Sequence, residues 1–220
     1  MNDCVLNKEL TKYVDELTER YPVLKDSRED IIQAYLVLEE SYLQGGKLLV
    51  AGNGGSSADA NHIVGELMKG FCLPRKVSEE FAEKLKSVDE VRGAQLADKL
   101  QGALPAIALD NHNALNTAFL NDVDGALMYA QQVNGYGNAG DVFLGITTSG
   151  NAGNVMYAAV VAKAKGLKVI GLTGKTGGKL VGQADVCISV NETETYKVQE
   201  LHLPIYHCLC LMVEKRFFGG

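Results

Sequence analysis

The sequence predicts an α/β domain, a five-stranded parallel sheet flanked by helices, preceded by a helical N-terminal extension. Three observations carry this. Five short apolar runs, KLLVA (47–51), ALPAIAL (103–109), DVFLGIT (141–147), KVIGLTG (168–174) and VCISV (186–190), are nearly unbroken rather than alternating, as strands covered on both faces are. Helical patterns such as NVMYAAVVAKAKG (154–166) separate them, and strand–helix alternation builds a parallel sheet wrapped by helices. The first 46 residues show helical periodicity and no strand signal.

In that extension (1–46), Ile31, Tyr35, Leu38 and Tyr42 recur at 3.6-residue spacing and Gly45-Gly46 supplies a stop. Its apolar face must pack against the domain or against another subunit. The α/β domain spans 47–220. Within it, residues 72–102 form a charged, helix-prone insertion with Phe81, Leu85 and Val88 as its expected packing face. It reads as a solvated helix or helix pair, or as a lid or subunit contact. In the closing segment Val198, Leu201, Ile205, Leu209 and Met212 share one helical stripe, interrupted by Pro204, which is expected to kink it.

Composition excludes several classes. The formal charge is 21 − 27 = −6, against non-specific nucleic-acid binding, which needs Lys and Arg to neutralise phosphates. No stretch approaches the roughly 18 uncharged apolar residues of a membrane span, and the charged N-terminus does not read as a secretory signal. Cys4, Cys72, Cys187, Cys208 and Cys210 include no C-x-x-C pair, so they read as incidental or buried thiols of a reducing compartment. The expectation is a cytoplasmic protein with no nucleic-acid or membrane partner.

Two loops are suited to an anion. AGNGGSSADANH (51–62) follows the first strand and opens a helix; Gly52, Gly54 and Gly55 allow close backbone approach, and the helix N-terminus points N–H groups at the turn. Ser56 with Asp59 reads as a capping box. A dinucleotide fingerprint would need glycine at Ser57, and a P-loop would need one at Val169. The second loop, TTSGNAGN (147–154), sets Thr147, Thr148 and Ser149 before another helix. Taken alone it could be good capping; two such loops in one parallel sheet suggest a phosphate held without much fixed positive charge.

His62 and Glu66, four apart, share a helix face, as a surface ion pair also would. Gln199 and His207 are eight apart, about 12 Å along a regular helix, so convergence depends on what Pro204 does. His112 and His202 read as structural, with His202 one turn from Gln199.

The series AGNGGSSADANHIVGEL, LND, TTSGNAGN, LTGKTGG and VQELHLPIYH resembles the sugar isomerase (SIS) domain family over roughly residues 30–215. The resemblance implies a flavodoxin-like three-layer SIS domain and an aldose–ketose isomerase interconverting sedoheptulose 7-phosphate and D-glycero-D-manno-heptose 7-phosphate through an enediol. It implies Glu66 as base and His207 as acid. Substrate contacts would fall on Asn53, Gly54, Gly55, Ser56, Glu66, Asn121, Asp122, Thr147, Thr148, Ser149 and Gln199. Zn²⁺ would be held by His62, Glu66, Gln199 and His207, although one carboxylate cannot be a free base and a tight ligand at once. The resemblance further implies a homotetramer with active sites between subunits. Ala152 stands where the family has a serine, Tyr196 where an aspartate is common, and Lys69-Gly70 replaces its basic residue after the EL pair. Another phosphosugar, or a non-catalytic SIS binding module, is the alternative; retention of both Glu66 and His207 favours catalysis.

Overall fold

The computed structural model describes residues 8–219, so Cys4 lies outside the described residues. Five strands form one sheet: β1 (Leu48–Gly52), β2 (Ala106–Ala108), β3 (Val142–Thr147), β4 (Lys168–Thr173) and β5 (Val186–Ser189). All pairings are parallel in the order β2-β1-β3-β4-β5. Four fall inside their expected runs, β2 shortened to three residues, and β1 runs one residue past its own, to Gly52.

Period-two side-chain alternation divides the core. Leu48, Val50, Val142, Leu144, Ile170 and Ile188 face one layer, built from α1 (Lys8–Arg20), α2 (Arg28–Leu43), α3 (Gly55–Met68) and α9 (Thr195–Phe218). Leu49, Ala51, Phe143 and Val169 face the other, which includes α7 (Met128–Tyr136) and α8 (Gly153–Ala164). The N-terminal extension therefore packs on its own chain: Ile31, Tyr35, Leu38 and Tyr42 are all buried in the first layer. Gly45, at φ +77°, ends α2, and Gly46 N–H returns to Ser41 O.

Three expectations change. The capping box does not form: α3 starts at Gly55 behind Gly54 (φ +57°), Ser56 is buried in the first turn, and no side chain caps the end. The glycines let the helix begin before Ser56 can cap it, and the first-turn N–H groups of Ser56 and Ser57 turn back to Asn53 O and Gly54 O, each at 3.1 Å. Pro204 does not break α9, which runs unbroken for 24 residues; a ring lacking one N–H is absorbed in a helix held by burial along most of its length. In the insertion, α4 (Glu79–Val88) and α5 (Glu90–Lys99) form a hairpin, but Phe81 (45%) and Val88 (88%) are exposed. The two helices meet instead at Gly93, where any Cβ would strike the Leu85 and Lys86 backbone.

Candidate active site

The strand order reverses between β1 and β3, whose carboxyl ends feed α3 and α8 on opposite faces. Ligands of open α/β sheets bind in such a crevice. The two glycine-rich loops face each other across it. Asn53 of the first and Asn154 of the second exchange two amide hydrogen bonds, 2.9 and 2.8 Å. Neither N-cap residue, Gly54 or Ala152, closes its helix with a side chain, though Asn154 Oδ1 accepts the first-turn N–H of Val155 at 3.0 Å. The hydroxyls of the second loop therefore do not cap α8. Thr147 is buried at the end of β3, Thr148 is half-buried and Ser149 is exposed. The second loop is backed by the GKTGG turn, with Gly174 N–H donating to Thr148 O and Leu180 N–H to Gly150 O.

Helices α3 and α9 pack side by side. At one end Gly55 lies against the Gln199 amide, so closely that a methyl group at position 55 would overlap it. Two turns on, His62, Glu66 and His207 meet. His62 Nε2 is 3.2 Å from Glu66 Oε1 and 3.5 Å from His207 Nε2. Lys69 Nζ reaches Glu66 Oε2 at 3.2 Å from the exposed side.

Tyr206 and Asp59 orient this cluster. Tyr206 O–H donates to Asp59 Oδ1 at 3.2 Å, and His62 Nδ1 is 3.0 Å from the same hydroxyl. With the phenol proton directed at Asp59, its oxygen accepts from His62 Nδ1–H, which fixes the ring with Nε2 facing Glu66 and His207. Burial, then the His62 imidazole, push His207 below the ordinary histidine value, while Glu66 pulls upward. Burial raises the Asp59 carboxyl against the Tyr206 hydrogen bond and His62.

The structure thus brings Glu66, His62 and His207 together and places Gln199 with Asn53, Gly54 and Gly55 at the first loop. Asn121 and Asp122 sit on an exposed π-helical turn (Leu120–Asp124) that follows α6 (Asn113–Phe119), hydrogen-bonded to one another at 2.7 Å. His202 is the core histidine: fully buried, its Nε2–H donating to Thr173 O at 3.2 Å. His112 stacks obliquely on Tyr136. Sequence reasoning missed Tyr206, for which it holds no signal, and misassigned Asp59, whose spacing of three and seven from His62 and Glu66 puts all three on one helical face.

Among the described residues, no three His, Cys, Asp or Glu side chains are placed to close around a metal ion. The donor types of His62, Glu66 and His207 are nonetheless those zinc takes, and the Asp59–Tyr206 relay orients His62 as an outer partner orients a ligating imidazole.

A sequence profile of the SIS domain matches residues 90–174. Phosphoheptose isomerase of Leptospira biflexa is 38% identical over 205 residues, 93% of each chain. That of Aneurinibacillus thermoaerophilus is 37% identical over 179 residues, 81% of this chain and 77% of its own. Among solved structures, phosphoheptose isomerase from Neisseria gonorrhoeae superposes with a TM-score of 0.69 at 30% identity over 94% of each chain. That from Francisella tularensis gives 0.70 at 29% identity, over 91% of this chain and 97% of its own. At 38% identity over 93% of each chain, and with the same fold as the solved members, the chain belongs to the SIS-domain phosphoheptose isomerase family.

Proposed function

We propose that the protein interconverts sedoheptulose 7-phosphate and D-glycero-D-manno-heptose 7-phosphate through an enediol. The observation that carries this is the meeting of a carboxylate from α3 with an imidazole from α9, His62 Nε2 lying 3.2 Å from Glu66 and 3.5 Å from His207. Moving a carbonyl between C1 and C2 requires a proton to leave one carbon and return to its neighbour. Glu66 takes that proton, and His207, held below the ordinary histidine value mainly by burial, exchanges protons with the substrate oxygens near neutral pH. The anionic end rests on the loops at 53–56 and 147–149, where amide N–H groups and hydroxyls outnumber charges.

A zinc ion would polarise the carbonyl; His62 and His207 would hold it, leaving Glu66 free as the base, while Gln199, beside the first loop, serves the substrate. The exposed turn carrying Asn121 and Asp122 is flanked by Leu120 (69% exposed) and Val123 (62%), which supports a homotetramer in which a neighbouring subunit covers it and completes the site. The free thiols of Cys72, Cys187, Cys208 and Cys210 suit a cytoplasmic setting.

The test is proton exchange in deuterated water followed by NMR. Wild-type protein with sedoheptulose 7-phosphate is expected to place deuterium on the carbon beside the carbonyl. Glu66→Gln is expected to lower the rate by about 10²–10⁴. Absence of exchange with any C5–C7 ketose phosphate would overturn the assignment.

A further inference from the structure

Behind the Glu66–His207 cluster lies a buried ion pair. Arg75 is 2% exposed and Glu214 1%; Arg75 Nε donates to Glu214 Oε1 at 2.8 Å. Each partner has a second task. Arg75 Nη2 and Nη1 donate to the carbonyls of Glu66 (2.9 Å) and Leu67 (2.7 Å). These carbonyls belong to the last turn of α3, where the helix has no partners of its own to offer. Glu214 accepts the backbone N–H groups of Phe71 (2.7 Å), Cys72 (2.8 Å) and Leu73 (3.1 Å). Phe71 packs its ring on His207, centroids 5.4 Å apart, and Glu214 lies two turns beyond His207 on the same helix. Burial alone would raise the Glu214 carboxyl, but the Cys72 and Phe71 amides and Arg75 outweigh it and hold the group below the ordinary carboxylate range.

The main chain of Arg75 is also anchored. Its carbonyl accepts Gly102 N–H at 2.6 Å, and Lys76 bridges Gln101, so both ends of the α4–α5 hairpin are rooted beside it. The guanidinium stacks over the Phe218 ring at 4.7 Å.

We propose that Arg75 and Glu214 are positioning residues for the isomerase site: Arg75 fixes the turn that carries Glu66, and Glu214 fixes the strap that packs on His207, so one ion pair sets the separation of base and acid. A planar guanidinium satisfies a carboxylate and two carbonyls at once, which a lysine ammonium on a flexible stem does not do in the same geometry. A buried pair of this kind adds little net stability over an apolar substitute; its geometry is what an apolar pair lacks. This inference rests on Glu66 and His207 being the reacting groups.

The experiment compares full-length wild type with Arg75→Lys, using the isosteric Glu214→Gln as second variant should the first fail to fold. Phosphosugar turnover and the ¹⁵N imidazole resonances of His62 and His207 are read together, with folding checked by circular dichroism. The expected result is a folded variant whose kcat drops at least about tenfold, whose KM stays within about twofold because the loops are untouched, and whose His207 resonances shift. A folded variant with unchanged kcat and unchanged imidazole resonances overturns the proposal. A kcat loss matched by an equal rise in KM, with the resonances unmoved, also overturns it, since general loosening would produce that. Were wild type inactive while the resonances still moved, the coupling would stand and the assigned reaction would fall.

Discussion

Gly150 is the position at which the second loop is most exposed to a single-atom change. It sits at φ +67°, and a Cβ there would overlap the Gly177 carbonyl oxygen and come within 2.7 Å of Gly178 N. The reverse contact is equally tight: Gly178, at φ +54°, lies against Ser149 O and the Gly150 carbonyl. Two backbones touch with no side chain between them. Gly150→Ala therefore incurs about 1–2 kcal/mol for a left-handed backbone and about 1–3 kcal/mol for overpacking against main chain that cannot rotate away. The sum, about 2–5 kcal/mol, corresponds to a melting point lower by roughly 4–20 °C in a chain of this size. The overlap also drives the 147–151 loop off the GKTGG turn, so phosphate contact should be lost as well. Thermal unfolding with and without sedoheptulose 7-phosphate reads both effects. Wild type at about 100 Kd of ligand gains roughly 2.7 kcal/mol, and the variant should gain little. Gly135→Ala is the control: the site is exposed, in α7, with nothing within 4 Å of the added methyl, and it should be neutral or stabilising by up to about 1 kcal/mol. A Gly150→Ala protein melting within about 2 °C of wild type, its ligand-induced shift intact, would refute the packing argument.

Burial pushes His202 down to about 4, against the pull of its hydrogen bond to Thr173, while the unfolded chain titrates near 6.5. The unfolded state thus binds the proton more tightly, and stability should fall by up to about 3 kcal/mol as pH drops from 6.5 towards 4. Urea midpoints for wild type and His202→Gln across that range check this, and the variant should lose much of the slope. After equilibration with zinc and dialysis, metal analysis should show His62→Ala and His207→Ala binding about tenfold more weakly or worse. Gln199→Ala should keep most of its metal, because the amide lies against Gly55; equal loss in all three would place Gln199 in the ligand set.

What the residues determine in isolation is local. Uninterrupted runs such as DVFLGIT identify strands because an apolar side chain every residue suits only a strand covered on both faces. Gly54 and Gly150 mark left-handed turns, which glycine adopts without a steric penalty, and Gly55 leaves room for the Gln199 amide. The four-residue spacing of His62 and Glu66 puts them on one face because the α-helical period is 3.6 residues. Tertiary structure decides everything that depends on which helices lie side by side. His207 reaches His62 because α9 packs along α3, and Gln199 falls instead on Gly55 because an unbroken helix carries residues eight apart about 12 Å along its axis. Tyr206 takes up Asp59, and Arg75 joins the last turn of α3 to Glu214, 139 residues further on. Such partners carry no sequence period, since a hydrogen bond across the fold depends on position in space and leaves no fixed spacing along the chain.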